Sequence, residues 1–353
     1  MSAAKLQEWF PWTQRPVIAN GPMLHAATPL LATEVTKAGG IGFIASAFDV
    51  SPDSANLKQL DSDLTQAREL LGVSSGPINV GASFITGHKS ITQFAETAIP
   101  VLQKTTPAIV WLFAPDGEVK PHSAVIQALK GLAHPPKVFV QVGNVTAAKE
   151  AIQDGADALI CQGIDAGGHQ FRRGMGVISF VPEVKKLLAE SFADRQIPIF
   201  AAGGIVRGEG VAAAQALGAD GIVMGTRFTV AKESLFPDFR KAMILNATDG
   251  GNATFKSPFN DQINKNALWG PLYDGRAIVT EIHQKFLDGA SLEDCQTTLQ
   301  TRQAETPEEA KRLIGTWAGT GVGLVNKEST ASEIVHEVRD DAKAIIRKLA
   351  EGI

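Results

Sequence analysis

A histidine placed directly after paired glycines is the chain's most pointed chemical feature, in the run Cys161-Gln162-Gly163-Ile164-Asp165-Ala166-Gly167-Gly168-His169. With an unperturbed pKa near ~6.5, an imidazole exchanges a proton or hydrogen-bonds an anion at neutral pH. Most histidines are structural, and His25, His88, His122, His134, His283 and His336 carry no neighbouring signal of this kind. Two further turns are suited to an anion. Pro198-Ile-Phe-Ala-Ala runs into Gly203-Gly204-Ile205, and Gly221-Ile-Val-Met runs into Gly225-Thr226-Arg227-Phe228. Glycine lets backbone N–H groups approach phosphate oxygens with no Cβ in the way. A glycine also ends many strands, but two such turns in succession after apolar runs point to a phosphate-bearing ligand.

Weaker candidates lie elsewhere. Gly21-Pro22-Met23 follows Asn20 and would bring backbone and a soft thioether close to a flat ring. Asn79 and Gln141 each offer an amide that donates and accepts hydrogen bonds, suited to a ring edge of mixed character. Each is equally consistent with ordinary turn chemistry. Gln170-Phe-Arg-Arg173 adds positive charge that would steer an anionic substrate, or that simply faces water. Trp111, Phe113, Trp269, Tyr273 and Trp317 either line a substrate pocket or pack an accessory region.

These residues need a scaffold, and the hydrophobic pattern supplies one. Short apolar runs at Pro16–Asn20, Gly42–Ala45, Pro77–Gly81, Ala108–Phe113, Lys137–Val142, Ala158–Cys161, Pro198–Ala201 and Gly221–Met224 read as parallel strands covered on both faces. Helical patterns alternate with them at Pro29–Lys37, Asp63–Leu71, Ser90–Lys104, Ser123–Leu132, Val145–Gln153, Val181–Glu190 and Gly208–Leu217. Eight βα units predict an α/β protein, a (β/α)8 TIM barrel over residues 1–235, with Leu6–Trp12 available to cover its base. In such a barrel the site is built by loops after the strands, and the last two strands carry the phosphate turns. Residues 236–325 predict a small, mainly helical accessory region over the mouth, with helices at Ala277–Asp288 and Pro307–Ile314. Residues 326–353 hold an amphipathic packing helix, opened by a Thr330-x-x-Glu333 capping box and apolar at Ile334, Val335, Val338, Ala342, Ile345, Ile346 and Leu349.

Composition removes several function classes. The 353 residues are 44% hydrophobic and 20% charged, with a formal net charge of −4 and no basic stripe for nucleic acid. Cys161 and Cys295 form neither a disulfide framework nor a metal pair, and no His/Asp/Glu cluster has ligand spacing, so no metal is expected. There is no signal-peptide pattern and no apolar run of about 18 residues for a membrane span. A reducing, cytoplasmic setting is expected. Ala38-Gly-Gly-Ile-Gly42 precedes a strand rather than following one, which argues against a dinucleotide loop.

Taken in order, Gly21-Pro22-Met23, Asn79, Gln162-Gly-x-Asp-Ala-Gly-Gly-His169, Ala202-Gly-Gly204 and Gly225-Thr-Arg-Phe228 resemble the nitronate monooxygenase family, formerly called 2-nitropropane dioxygenase. That family includes related FMN-dependent enoyl-acyl-carrier-protein reductases. The likeness covers about residues 15–235, with echoes in Tyr273-Asp-Gly-Arg276 and Trp317-Ala-Gly-Thr320. It implies FMN at the barrel mouth, the phosphate on Gly203, Gly204, Gly225 and Thr226, and the ring edged by Gly21, Pro22, Met23, Asn79, Gln141, Gln162 and Gly167. His169 is then the catalytic residue, hydrogen-bonding the nitro oxygens or taking the α-proton if a neutral nitroalkane is used, and the partners are a small anionic substrate and molecular oxygen. Asp165 stands where the family pattern has Glu, and Gln170-Phe-Arg-Arg-Gly174 replaces Arg-Gly; both changes bear on the substrate. Besides nitronate oxidation, three readings remain open: NAD(P)H-dependent reduction of a quinone or enoyl thioester, a non-catalytic flavin-binding relative, and a phosphosugar barrel without flavin.

Overall fold

The computed structural model describes residues 2–352. Its first nine strands are β1 (Val17–Asn20), β2 (Gly42–Phe43), β3 (Ile78–Ile85), β4 (Pro107–Phe113), β5 (Lys137–Val142), β6 (Ala158–Gln162), β7 (Gly168–Phe171), β8 (Ile199–Ala202) and β9 (Gly221–Met224). All but β7 form one eight-stranded sheet in the order β1-β9-β8-β6-β5-β4-β3-β2. Every pairing in that sheet is parallel, and a bridge from Ala19 to Ile41 brings the two ends together. The expected TIM barrel is therefore present, with helices around it.

Aromatic rings fill the interior of the barrel. Phe43 meets Trp111 edge-on at 5.1 Å, and Phe139 meets Phe200 at 5.2 Å. Two strand glycines make room for this layer: a Cβ on Gly81 or Gly221 would lie 2.3 Å from the ring of Phe43 or Phe200. From below, the helix Ser2–Trp9 and the residue after it close the base, with Leu6 and Phe10 buried and Phe10 edge-on to Phe139 at 6.0 Å. The result is a solid apolar floor beneath the mouth, as barrel interiors of this size require.

The coat is completed out of order. After β9 the chain leaves for the accessory region and returns as the helix Ala331–Glu351. Thr330 and Glu333 form the expected capping box, with Glu333 Oε2 accepting from the Thr330 N–H at 2.8 Å. Its stripe of Ile334, Val335, Val338 and Ala342 is buried, and the helix packs against Gly208–Ala216 and Pro29–Lys37, filling the eighth place of the helical ring. Arg339, 1% exposed, donates to the carbonyls of Ala38 and Gly39 at 2.8 Å each. The glycine-rich 38–42 segment is thus a docking point for this helix at the base.

The accessory region contributes helices, including Asp238–Asn246, Glu281–Leu287 and Leu292–Glu305, and a sheet that no sequence period announces. Strands β10 (Thr254–Ser257), β11 (Tyr273–Ile278) and β12 (Thr316–Trp317) lie side by side, and β7 joins them by pairing antiparallel to β11. The helix expected from Ala277 begins at Glu281 instead, because residues 277–278 end β11 and the Thr280 hydroxyl caps the turn that follows. The segment from Pro307 is helical only to Ala310. No helix of the described residues is long and apolar enough to cross a membrane.

His122, which opens the helix His122–Lys130, is 5% exposed, with Nε2 2.8 Å from the Thr86 hydroxyl. Burial lowers its pKa to about 4. The unfolded chain, with its pKa near ~6.5, therefore takes the proton first as pH falls. This contribution is fully present above about pH 6.5, is lost between about 6.5 and 4, and totals about 3 kcal/mol. Urea unfolding across that window will show a shallower pH slope in His122→Asn than in the unsubstituted protein.

Candidate functional site

The site is assembled where β6 hands the chain to β7. Strand β7 pairs with β11 so that His169 lies opposite Gly275 and Gly168 opposite Arg276. Alternation along the strand then sends His169 and Gln170 to opposite faces. Gly275 has no side chain, and the Trp317 ring occupies that space, 2.4 Å from where a Cβ would be. Trp317 reaches the His169 ring at 4.7 Å, and Trp269 stacks on it at 3.6 Å with an 8° interplanar angle. Both carboxylate oxygens of Asp261 lie 2.9 Å from His169 Nε2. The two side chains are 9% and 11% exposed. An ionised carboxylate only accepts, so Nε2 donates. Nδ1 has no hydrogen-bond partner among the described residues.

The glycine turns share this end of the barrel. Gly203 and Gly204 adopt φ of +106° and +72°, which a β-carbon disfavours. A Cβ on Gly203 would lie 2.8 Å from the Gly163 carbonyl oxygen, so the turn after β8 nests against the turn after β6. The segment Ala318–Gly321 wedges between them. Its Gly319 N–H donates to the Thr226 hydroxyl at 3.0 Å, and the Thr320 N–H donates to the Asp165 carbonyl at 2.9 Å. A Cβ on Gly167 would meet the Ala318 carbonyl carbon at 2.5 Å. Trp317 immediately precedes this wedge, so one stretch of chain touches both the imidazole and the turns after β6, β8 and β9.

A row of side-chain amides crosses the mouth above the aromatic floor. Trp111 Nε1 donates to Gln141 Oε1 at 3.1 Å, Gln141 Nε2 to Gln162 Oε1 at 2.7 Å, and Gln162 Nε2 to the His169 carbonyl at 3.2 Å. Each link orients the next and ties the row to β7. On the opposite rim, the Gly21 N–H donates to the Met224 carbonyl at 2.9 Å. A Cβ on Gly225 would have only the Met23 sulfur nearby, at 3.7 Å. The Pro22 carbonyl accepts from Ser46, whose hydroxyl also bonds that of Ser83.

Asn79 is elsewhere. It is the second residue of β3, at the end away from the mouth, and its carbonyl accepts from Thr36 at 2.8 Å. The strand runs on through Gly81 to Ile85, and Ser83 rather than Asn79 reaches the level of Ser46. Arg172 is held by Asp274, with contacts of 2.9–3.1 Å, so its charge is already countered. Asp261, Ser46 and Ser83 were not singled out in the sequence. Nothing local marks Asp261, which lies 92 residues beyond His169.

Thr226→Val keeps the shape of the cup but removes the acceptor for a buried N–H. Its expected cost is about 1–3 kcal/mol, read from urea unfolding.

Comparison with known proteins places this geometry in context. The nitronate monooxygenase family model matches residues 99–341. A nitronate monooxygenase of Neurospora crassa is 41% identical, covering 98% of this chain and 94% of its own length. Nitronate monooxygenase npaC of Metarhizium robertsii is 32% identical over 97% of this chain and 95% of its own. In fold, the chain resembles FabK from Thermotoga maritima, with a TM-score of 0.74 at 24% identity, covering 99% of both chains. It likewise resembles nitroalkane oxidase from Streptomyces ansochromogenes, with a TM-score of 0.73 at 22% identity, covering 98% of this chain and 99% of that one. On the matched model and the extent of the Neurospora likeness, the chain belongs to the nitronate monooxygenase family of oxidoreductases.

Proposed function

We propose that this protein oxidises small nitronates, and neutral nitroalkanes once their α-proton is removed, using FMN held at the barrel mouth and molecular oxygen. The observation that carries the reading is the convergence of an imidazole and two glycine turns on one mouth, both touched by the segment 317–320. The residues present fit the cofactor. The Gly203-Gly204 and Gly225-Thr226 turns offer main-chain amides to a phosphate, and a Cβ at Gly225 would intrude on the open space beside Met23. Gly21, Pro22, Met23, Gln141, Gln162 and Gly167 would edge the ring, with the two glutamines supplying donors and acceptors already oriented by their neighbours. Asn79 takes no part.

FMN, when bound, supplies the electron-transfer and oxygen chemistry. The chain's own residues do the rest. His169 faces the nitro group and fixes its approach, donating to the nitro oxygens when the ring is protonated at both nitrogens and taking the α-proton when a neutral nitroalkane enters. Trp269 and Trp317 hold the ring in one plane and keep water from its faces. The aromatic floor closes the barrel interior beneath the site.

Anaerobic mixing tests the reading. The yellow protein is expected to be bleached by a small alkyl nitronate and untouched by NADH. Bleaching by NADH with no response to nitronate overturns it in favour of a reductase, and a colourless protein that takes up no FMN removes the flavin altogether. His169→Ala is expected to retain FMN and lose at least about 100-fold in kcat/KM. Gly204→Val, strained at positive φ, is expected to lower the visible-to-ultraviolet absorbance ratio of the purified protein through lost cofactor.

A further inference from the structure

Asp261 lies outside the barrel, on the short helix Phe259–Ile263, yet it holds the central imidazole. The arrangement has three consequences for His169. The carboxylate accepts at Nε2 through two contacts of 2.9 Å, which fixes the hydrogen on that nitrogen while the ring is neutral. Trp269 covers one face at 3.6 Å and Trp317 packs at 4.7 Å, so the two indoles hold the ring with Nε2 toward Asp261. Nδ1, with no partner among the described residues, then carries the lone pair. A lone pair is the wrong group to set against an anion that is already formed, and the right one to remove a proton from a neutral acid.

We infer that Asp261 is a positioning residue: by holding the hydrogen of His169 on Nε2, it leaves Nδ1 as the base that would take the α-proton of a neutral nitroalkane. The inference deepens the nitronate reading above and rests on it. In the step, the α C–H bond of the nitroalkane breaks and its proton bonds to Nδ1. The electron pair left on carbon becomes the C=N bond of the nitronate, and one N=O pair moves onto oxygen. His169 becomes an imidazolium whose charge Asp261 balances, and its new N–H faces the nitronate oxygens. A carboxylate that holds an imidazole in one tautomer has this role in Ser-His-Asp enzymes, where replacing the acid by its amide preserves geometry but selects the wrong tautomer.

The test uses the FMN-loaded protein, Asp261→Asn and Asp261→Glu. Nitrogen-15 NMR of the labelled histidines, with His169 assigned by its disappearance in His169→Ala, is expected to show the neutral ring protonated at Nε2. In Asp261→Asn it is expected to shift toward Nδ1. Exchange of nitroalkane α-protons with deuterated water, followed anaerobically by proton NMR, is expected to fall at least about 100-fold in Asp261→Asn. It is expected to recover at least in part in Asp261→Glu. Flavin reduction by preformed nitronate should fall at least about tenfold less than the exchange rate does. An unsubstituted protein with its proton on Nδ1 overturns the proposal. So do equal losses on both substrates without rescue by Glu, which would make Asp261 a structural tie. Should nitronate fail to reduce the flavin at all, the proposed function falls, while the tautomer and exchange measurements still decide the role of Asp261.

Discussion

The pairing of β7 with β11 is the constraint from which the site follows. Four residues of a barrel loop, Gly168–Phe171, are drawn out of the barrel and paired with Tyr273–Arg276 of the accessory sheet. Without that ladder, His169 would sit on a glycine-flanked loop with many orientations. With it, the imidazole points to a defined face, and the groups that surround it arrive from the same sheet and its connections. Trp317 comes from β12, Trp269 from the segment leading into β11, and Asp261 from the helix after β10. Functional residues on loops depend on a rigid support. Here that support is a second sheet rather than the barrel alone.

A polar layer on an apolar one completes the design. The rings of Phe43, Phe139 and Phe200 fill the barrel interior, and Trp111 joins the two layers, its ring edge-on to Phe43 and its N–H donating to Gln141. Buried amides without partners would be costly at this depth. Gln141 and Gln162 satisfy one another in sequence and end on the His169 carbonyl, so the row that suits a ring edge also braces the strand bearing the histidine.

Much of this was legible in the chain. The barrel strands are near-continuous apolar runs, and the turns after β8 and β9 carry glycines whose positions alone suggest an anion. Asn79 lies away from the mouth because Gly81, which reads as the end of a strand, is an interior residue whose missing side chain admits Phe43, and β3 continues to Ile85. Strand β7 was invisible for a different reason. Gly-Gly-His-Gln-Phe has no period of its own, and its partner lies about a hundred residues on, so pairing rather than local preference makes it a strand. Asp261 is a distant acid in a polar stretch, which only the folded chain brings to Nε2. The final helix announced itself by its cap and stripe, but its seat between Gly208–Ala216 and Pro29–Lys37 depends on topology.

That seat carries a consequence for how the molecule comes into being. The strand made first pairs with the barrel strand made last, and the helix that seals the seam is synthesised after the whole accessory region. Until it emerges, the helices Pro29–Lys37 and Gly208–Ala216 lack the neighbour they pack against, and the carbonyls of Ala38 and Gly39 lack the donors of Arg339. A nascent chain therefore carries an uncovered apolar seam along its flank after the barrel strands and the accessory sheet have been made. Closure of the seam thus follows synthesis of the accessory region, and until then the uncovered apolar surface exposes the chain to aggregation.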